Sequence, residues 1–247
     1  MSEPRLIDVA DDLEIYGTSA TDVRFLYQEI FERGSYRDVS LPPKAFVVDA
    51  GANVGIFTLF AKRACPDATI IAFEPVPDLA AAVRANVALF GLDDVTVHEV
   101  ALGKERAEGV SFRHYPLRPS GSSLLLEDQT ELRQVSSAWL PPRLNARMYQ
   151  GREIVVEVAT LSSLLPVARR IDLLKVDVVG AEVALFGGVA EEQWPLIDQV
   201  VVDTQDIAGR IAGVRELLAS RGMTTSLERN PADPAGAASF VVYGRRG

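Results

Sequence analysis

Short apolar runs alternate with helical patterns along most of this 247-residue chain, and this alternation restricts the fold more than any other feature. A run of about four to eight apolar residues indicates a buried strand, and apolar residues three and four positions apart indicate an amphipathic helix. Because helical patterns separate the runs, consecutive strands should lie parallel, with each helix crossing one face of the sheet. The predicted strands are 45–49, 69–74, 95–100, 110–113, 154–159, 172–177 and 197–203.

The end of the chain departs from this alternation. Two short runs, GMTTSLERN and ASFVVYGRR, have no helical pattern between them and are joined by the turn-rich segment NPADPAGA. Runs that are connected without a crossover helix pair antiparallel. The sequence therefore predicts an α/β fold with a doubly wound, mostly parallel sheet and one antiparallel strand from a C-terminal hairpin.

The length suits a single domain over residues 1–247. We expect an N-terminal helical segment over residues 1–40, because apolar residues at helical spacing precede Gly34, a residue type that commonly ends helices. Residues 114–152 break the alternation and are too long for a plain connection. We interpret them as an insertion that holds one short helix near Leu126–Val135 and serves as a lid or substrate loop.

Composition limits the compartment and the partners. A net charge of −9 argues against nucleic acid and anionic membranes as partners. No apolar run approaches the roughly 20 residues that span a bilayer, and the acidic N-terminus lacks the apolar region of a signal peptide. The single cysteine, Cys65, excludes a disulfide within the chain and fits a reducing compartment. We therefore expect a cytoplasmic protein with a small-molecule substrate.

The segment VVDAGANVGIF predicts a ligand-binding turn. It places Asp49 at the end of a strand, Gly51 and Asn53 in a tight turn and Gly55 beside the helix that follows. Gly51 permits a positive φ or the close approach of a ligand, and the helix N-terminus presents free N–H groups. Glu74 ends the next predicted strand, where a carboxylate can accept hydrogen bonds from two ribose hydroxyls.

The residues around these glycines indicate which nucleotide-type ligand binds. A dinucleotide site requires the pattern GxGxxG, whereas this chain has an acid at the first position and lacks the full set of glycines. An acid there repels a pyrophosphate and suits the α-ammonium group of S-adenosylmethionine (SAM). We therefore predict SAM as the cofactor and the following cofactor-site residues: Asp49, Gly51, Asn53, Gly55 and Glu74.

Several motifs, in order, make the chain similar to the FkbM family of SAM-dependent methyltransferases. Spread over about residues 25–222, they are EIFERGSY, VVDAGANVGIFTLFA, AFEPVP, VALG, TLSSLL, IDLLKVDVVGAE and DTQDIAGR. The segments FRHYPLRPSGSS and QWPLIDQVVVD further resemble members that tailor polyketides and other antibiotics.

The resemblance implies a class I, Rossmann-like methyltransferase fold with a seven-stranded sheet, SAM as the methyl donor and, in most members, a hydroxyl acceptor. It also implies that Ala101 of VALG lies beside the adenine and that Asp177 faces the transferred methyl group. Two positions depart from the family pattern: Val179 stands where a glutamate is common, and Gln205 stands where a histidine is common. The roles of those two side chains therefore do not carry over.

An alcohol acceptor must lose its proton, so a general base near the acceptor is useful. Asp177 ends a predicted parallel strand, where open α/β sheets bind their ligands, and is one candidate base. His114, at the start of the insertion, is the other candidate. Its neighbour Tyr115, together with Ser122 and Ser123 of the insertion, forms the set of candidate substrate contacts.

Several functional hypotheses follow from these observations. The leading one is O-methylation of a hydroxyl group on a small secondary metabolite such as a polyketide, a glycoside or a peptide natural product. The others are methylation of nitrogen or of a carboxylate, a non-catalytic module that binds SAM or a partner, and an NAD-dependent oxidoreductase. SAM is the expected cofactor, although Asp177 and Asp203 at neighbouring strand ends would suit Mg²⁺. The exposed insertion also offers a surface for a homodimer.

Overall fold

The computed structural model describes residues 3–124, 133, 137, 140–231 and 239–247. Its strands are β1 (Arg5–Ala10), β2 (Leu13–Gly17), β3 (Phe46–Ala50), β4 (Thr69–Phe73), β5 (Val95–His98), β6 (Ala101–Leu102), β7 (Ala107–His114), β8 (Arg152–Ala159), β9 (Leu173–Val176), β10 (Gln199–Gln205), β11 (Met223–Arg229) and β12 (Ser239–Arg246). Its helices are α1 (Ala20–Tyr27), α2 (Ile56–Ala64), α3 (Pro77–Leu89), α4 (Pro142–Met148), α5 (Leu161–Leu164), α6 (Glu182–Gly187) and α7 (Arg210–Ser220). Within these ranges, every helix is too short or too polar to span a bilayer.

Seven strands form the central sheet in the order β11-β12-β10-β9-β3-β4-β5. The five strands from β10 to β5 in this order pair in parallel. Strand β12 runs antiparallel to both of its neighbours, β10 and β11. The predicted α/β class with a seven-stranded mixed sheet is therefore confirmed.

The central strands of this sheet are buried on both faces. In β3, Val47 packs into one core with Phe57 of α2, whereas Val48 packs into a second core with Leu185 of α6 and Val214 of α7. A strand that is covered on both faces has a nearly continuous apolar sequence. Full burial of one such side chain contributes about 1.5–3 kcal/mol, so apolar packing from both sides holds the sheet in place.

Two of the predicted strands belong to a different sheet. The runs 110–113 and 154–159 fall in β7 and β8, which pair antiparallel and, with β6, form a separate three-stranded sheet. The predicted insertion, 114–152, is the connection between these two strands, since His114 and Arg152 are partners in their register. Of the short helix predicted near Leu126–Val135, only Arg133 is among the described residues.

The predicted N-terminal helical segment, 1–40, is only partly helical. Strands β1 and β2 form an antiparallel hairpin in which Ile7 pairs with Ile15, and both side chains are buried. The helical part is α1, which continues into a π-helical turn, Gln28–Glu32. The difference has a local cause. The hairpin buries one apolar side chain at the centre of each strand and leaves the residues on either side exposed or half-buried, which is the alternation of a half-buried strand.

Candidate functional site

The turn between β3 and α2 is packed directly against the residue that follows β9. Gly51 has φ +82°, and a Cβ atom on it would lie 1.9 Å from the Asp177 carbonyl oxygen. Asn53 has φ 51°, and Gly55 has φ +87°, so three residues of this short turn adopt left-handed backbone conformations. Only glycine fits the space at Gly51, and this close contact brings the acid Asp177 to the turn. We call residues 51–55 the cofactor turn, after the role predicted for them.

Glu74 follows β4 and fixes the other side of the turn. One carboxylate oxygen accepts a hydrogen bond from the Asn53 backbone N–H at 2.8 Å, and the other accepts from the Val76 backbone N–H at 2.9 Å. Burial raises the pKa of Glu74 to about 8, although both backbone donors and Lys175 favour the carboxylate. Further hydrogen bonds from ligand hydroxyls would stabilise the ionised form and lower this pKa.

The turn, Glu74 and Asp177 line one cavity. Its volume is about 650 Å³, including its open mouth. Its polar lining residues are Asn53, Glu74, Ser120, Ser122 and Asp177. Its other lining residues are Leu26, Gly51, Phe73, Pro75, Val100, Ala101, Leu102, Phe112, Pro119, Leu124, Val178, Val179 and Ala181. Six predicted site residues therefore border one cavity: Gly51, Asn53, Glu74, Ala101, Ser122 and Asp177.

Asp49 lies beneath the turn rather than on the cavity wall of the described structure. Its side chain is fully buried, with one oxygen 3.0 Å from Lys175 Nζ and the other accepting a hydrogen bond from Thr58 Oγ1 at 2.8 Å. In this arrangement Asp49 supports the turn from the sheet side. Direct contact between Asp49 and the cofactor stays a prediction.

Asp177 is the acid that faces the cavity on the side of β9. Its side chain is 34% exposed, and one oxygen lies 3.8 Å from Lys175 Nζ. Burial and the charge of Asp49 raise the pKa of Asp177, whereas the charge of Lys175 lowers it. A carboxylate with a raised pKa is a stronger base than an ordinary aspartate, which suits the role predicted for it.

His114 is buried behind the cavity wall. Its exposed fraction is 2%, and its Nδ1 lies 3.2 Å from Ser122 Oγ, which also accepts a hydrogen bond from the Tyr115 backbone N–H at 3.1 Å. Burial and the nearby Arg152 lower the pKa of His114 to about 4, so the imidazole is neutral at pH 7. His114 is therefore placed to orient Ser122, and the described structure does not bring it to the cavity surface.

The two remaining candidate substrate contacts, Ser123 and Tyr115, are also buried. Ser123 is 1% exposed, and its hydroxyl donates to the Val179 carbonyl oxygen at 2.7 Å. Tyr115 is buried, with its ring 5.9 Å from the ring of Tyr149. Among the described residues, neither lines the cavity. Ser123 instead fixes Val179, which has a left-handed φ of 38° despite its branched side chain.

The Mg²⁺ site considered for Asp177 and Asp203 stays a prediction. Within the described residues, no group of three or more His, Cys, Asp or Glu side chains is placed to hold a metal ion. One Asp203 oxygen accepts a hydrogen bond from Asn230 Nδ2 at 2.8 Å. Asn230 Nδ2 also donates to Glu29 at 2.6 Å, so Asp203 of β10 belongs to a network that reaches the N-terminal helical region through the residue that follows β11.

Sequence reasoning missed the contribution of the N-terminal region to this site. Leu26 of α1 lines the cavity. Asp22 of α1 accepts hydrogen bonds from the Ser120 hydroxyl at 2.6 Å and from the Ser120 backbone N–H at 3.1 Å. The N-terminal helix and the 117–122 segment thus form a common wall. No local sequence pattern could predict this contact, because the two partners are 98 positions apart.

The residues around the cavity fit SAM. Two glutamate oxygens at the end of β4 can accept from ribose hydroxyls, and Gly51 leaves the turn without a side chain on its crowded side. Asn53 Oδ1 is buried and has no hydrogen-bond partner among the described residues, so it is available to a ligand donor. Such a turn, acid and cavity on a seven-stranded mixed sheet define a class I SAM-dependent methyltransferase.

Comparison with solved structures agrees with this class. The structure of M. jannaschii TYW2 in complex with AdoMet matches with a TM-score of 0.54 and 11% identity, over 100% of this chain and 88% of that one. The structure of methyltransferase FkbM from Methylobacillus flagellatus KT matches with a TM-score of 0.54 and 11% identity, over 88% of this chain and 47% of that one. These similarities establish the fold.

Sequence comparison establishes the family. Residues 49–223 match the methyltransferase FkbM domain. "Methyltransferase 1" of Beauveria bassiana is 36% identical over 245 residues, which cover 97% of both chains. "31-O-demethyl-FK506 methyltransferase FkbM" of Streptomyces tacrolimicus is 33% identical over 227 residues, which cover 86% of both chains. The chain belongs to the FkbM family of SAM-dependent methyltransferases.

Proposed function

We propose that this protein transfers the methyl group of SAM to a hydroxyl oxygen of a small secondary metabolite. The observation that carries the proposal is that the cofactor turn, Glu74 and the partly exposed carboxylate of Asp177 all line one cavity. The remaining wall is mostly apolar, which favours a compact organic acceptor. Family membership supplies the reaction class.

The cofactor half of the cavity is assigned from the donors and acceptors that the chain offers. Glu74 would bind the ribose hydroxyls, Asn53 Oδ1 would accept from the amino-acid part, and Ala101 would lie beside the adenine with Phe73 and Leu102. When bound there, SAM supplies an electrophilic methyl group on a sulfonium sulfur. Asp49 supports this half from beneath through Lys175 and Thr58.

The part of the cavity lined by Asp177, Val178, Val179 and Leu124 would hold the acceptor, and we call it the acceptor half. Asp177 would receive the hydroxyl proton, because it is the acid on the β9 side of the cavity and its pKa is raised towards that of a useful base. The apolar side chains of Val178, Val179 and Leu124 would exclude water and hold the acceptor in place. His114 would act on the acceptor only indirectly, through the orientation of Ser122.

The Streptomyces relative supports oxygen as the acceptor atom. Its name specifies an O-demethyl substrate, and it aligns with 86% of this chain. We extend only the acceptor atom to the present protein, together with the general class of secondary metabolites. A lid formed by the insertion and a homodimer through it stay predictions.

Two alternatives remain to be distinguished from this proposal. A nitrogen or carboxylate acceptor would use the same cofactor half, but a carboxylate needs no base, so Asp177→Asn would then keep most of its activity. A non-catalytic SAM-binding module would bind SAM without turnover, and the departures at Val179 and Gln205 are the features that favour it.

The first test is mass spectrometry for co-purified cofactor, followed by titration calorimetry with SAM and with S-adenosylhomocysteine (SAH). We expect micromolar binding of both ligands, lost in Glu74→Ala and weakened strongly in Asp49→Ala. Glu99→Ala is the control variant. Glu99 is also a glutamate, but it forms its ion pair with Arg84 at the surface. A folded wild-type protein that binds neither ligand would refute the proposed function.

The second test addresses the acceptor. Wild-type protein with SAM is incubated with a panel of hydroxylated, amine-bearing and carboxylated metabolites, and products are identified by the mass gain of one methyl group. Transfer to a hydroxyl that is lost in Asp177→Asn and retained in Glu99→Ala supports the proposal. Transfer only to amines or carboxylates would replace it with the first alternative.

A further inference from the structure

Lys175 on β9 places a buried cation beside the cofactor turn. Its side chain is 3% exposed, and its Nζ atom lies 3.0 Å from Asp49 Oδ1. The same atom donates to the Gly51 carbonyl oxygen at 2.7 Å and lies 3.8 Å from Asp177 Oδ2. One ammonium group therefore contacts the strand before the turn, the turn itself and the acceptor-side acid.

The surroundings of this ammonium group account for its burial. A buried charge is strongly unfavourable unless counter-charges and hydrogen-bond acceptors surround it. Asp49 and the Gly51 carbonyl supply these at close range, and the ring of Phe57 lies 5.6 Å from Nζ. Asp177 is farther away and remains 34% exposed, so it experiences the lysine charge while its oxygens stay accessible to the cavity.

We propose that Lys175 is a positioning residue that joins the cofactor turn to Asp177, so that cofactor affinity and the charge of the acceptor-side acid depend on the same ammonium group. The proposal rests on the function proposed above. Lys175 is absent from the described cavity lining, so it acts through the Gly51 carbonyl and the Asp177 carboxylate.

The pH at which Asp177 titrates is a measure of its interaction with Lys175. Several titratable groups interact with Asp177 or with its lysine partner: Lys175 on β9, Asp49 on β3, Glu74 after β4, Tyr36 before β3, Glu182 on α6 and Asp203 on β10. Among them Lys175 is the cation that lowers the pKa of Asp177, whereas burial and Asp49 raise it. Removal of the lysine charge should therefore raise the pH at which Asp177 titrates.

The experiment compares Lys175→Met with Lys62→Met. Lys62 is a matched control because it is also buried, at 6% exposure. Its ammonium group donates to backbone carbonyls of Pro66 and Ala68 at 2.9 and 2.7 Å, away from the cavity lining of the described residues. Both variants delete a buried ammonium group, but only Lys175→Met leaves the buried carboxylate of Asp49 without its cation, so Lys175→Met should be the less stable of the two.

Two quantities are measured on ligand-free and SAM-loaded protein. NMR of protein labelled with ¹³C at the aspartate carboxyls gives the titration midpoint of Asp177, whose signal is assigned by its loss in Asp177→Asn. Calorimetry gives the dissociation constant for SAM. In Lys175→Met we expect the Asp177 midpoint to rise by about one pH unit or more and SAM affinity to fall by about tenfold. Lys62→Met should leave both near the wild-type values.

The outcomes separate this inference from the function on which it rests. If wild-type protein binds SAM but Lys175→Met matches Lys62→Met in both quantities, the positioning role is refuted and the methyltransferase proposal stands. If wild-type protein does not bind SAM, the proposed function fails first. Should Lys175→Met not fold, Lys175→Gln decides, because it keeps a donor for Gly51 without the charge: an unshifted Asp177 midpoint in that variant would also refute the inference.

Discussion

Gly51→Ala places a new side-chain atom closer to its neighbours than a Cβ atom added at any other described glycine would be. The new methyl group would lie 1.9 Å from the Asp177 carbonyl oxygen and 2.8 Å from its carbonyl carbon, and the backbone has φ +82°. Both neighbours are backbone atoms, so rotation of a side chain cannot relieve the clash. Either the turn or the residue after β9 must move.

The magnitude combines two independent contributions. A left-handed backbone costs an L-residue about 1–2 kcal/mol, and overpacking a tight site costs about 1–3 kcal/mol. We therefore expect Gly51→Ala to lower the free energy of unfolding by about 2–5 kcal/mol. SAM affinity should also fall strongly, because the displaced segment carries both the turn and Asp177.

Urea denaturation at constant pH measures the first quantity, and calorimetry with SAM measures the second. Gly91→Ala is the matched control, because Gly91 also has a positive φ, +56°, but a Cβ atom there would meet nothing within 4 Å. It should lose only the backbone contribution and keep its affinity for SAM. Equal stability losses in the two variants, with SAM binding retained in Gly51→Ala, would refute the close packing of the turn against Asp177.

Three further changes test other parts of the site. Glu74 has a higher pKa in the folded protein than in the unfolded chain, so the free energy of unfolding should fall as pH rises from 4.5 to about 8. Urea titrations of Glu74→Gln across that range should show a weaker dependence of this free energy on pH, and an unchanged dependence would contradict the burial of the carboxyl. Asp177→Asn removes a negative charge from the cavity, so calorimetry should show a larger loss of affinity for the sulfonium SAM than for the uncharged sulfur of SAH; equal losses would place Asp177 away from the sulfur. Asp22→Ala removes both hydrogen bonds to Ser120 and the hydrogen bond with the Asn53 side chain, so SAM should dissociate about tenfold faster in stopped-flow measurements. Glu14 is an exposed acid on β2, and Glu14→Ala should release SAM at the wild-type rate.

The residues proposed for the cofactor half could be predicted from the sequence to lie together, because the features that bring them together are local. Gly51 and Asn53 lie in one short turn, and Glu74 ends the next strand, so strand and helix patterns alone bring them to one edge of the sheet. The structure places all three on the cavity. Asp49, from the same motif, lies beneath the turn, a distinction that spacing cannot make because it depends on the position of Lys175.

The second sheet shows a limit of pattern reading. In β8 the side chains of Val156 and Val158 are buried, whereas Val155 is 72% exposed. An apolar residue on the solvent side hides the alternation that marks a sheet covered on one face, and the run then resembles a fully buried strand. The sequence therefore predicted strands β7 and β8 correctly as strands but could not assign them to a separate sheet.

One part of the cavity wall depends on contacts between distant positions in the sequence. It is formed by Leu26 of α1 and by the 112–124 segment, and these parts are held by contacts between distant positions, such as Asp22 with Ser120 and Ser123 with the Val179 carbonyl. Substitutions at wall positions such as Leu124 can reshape the acceptor half, whereas Asp22 also hydrogen-bonds the side chain of Asn53 in the turn and so affects both halves. Proteins that share the turn can therefore differ in acceptor, which is why the motif identifies the donor and leaves the acceptor to be determined by the panel experiment.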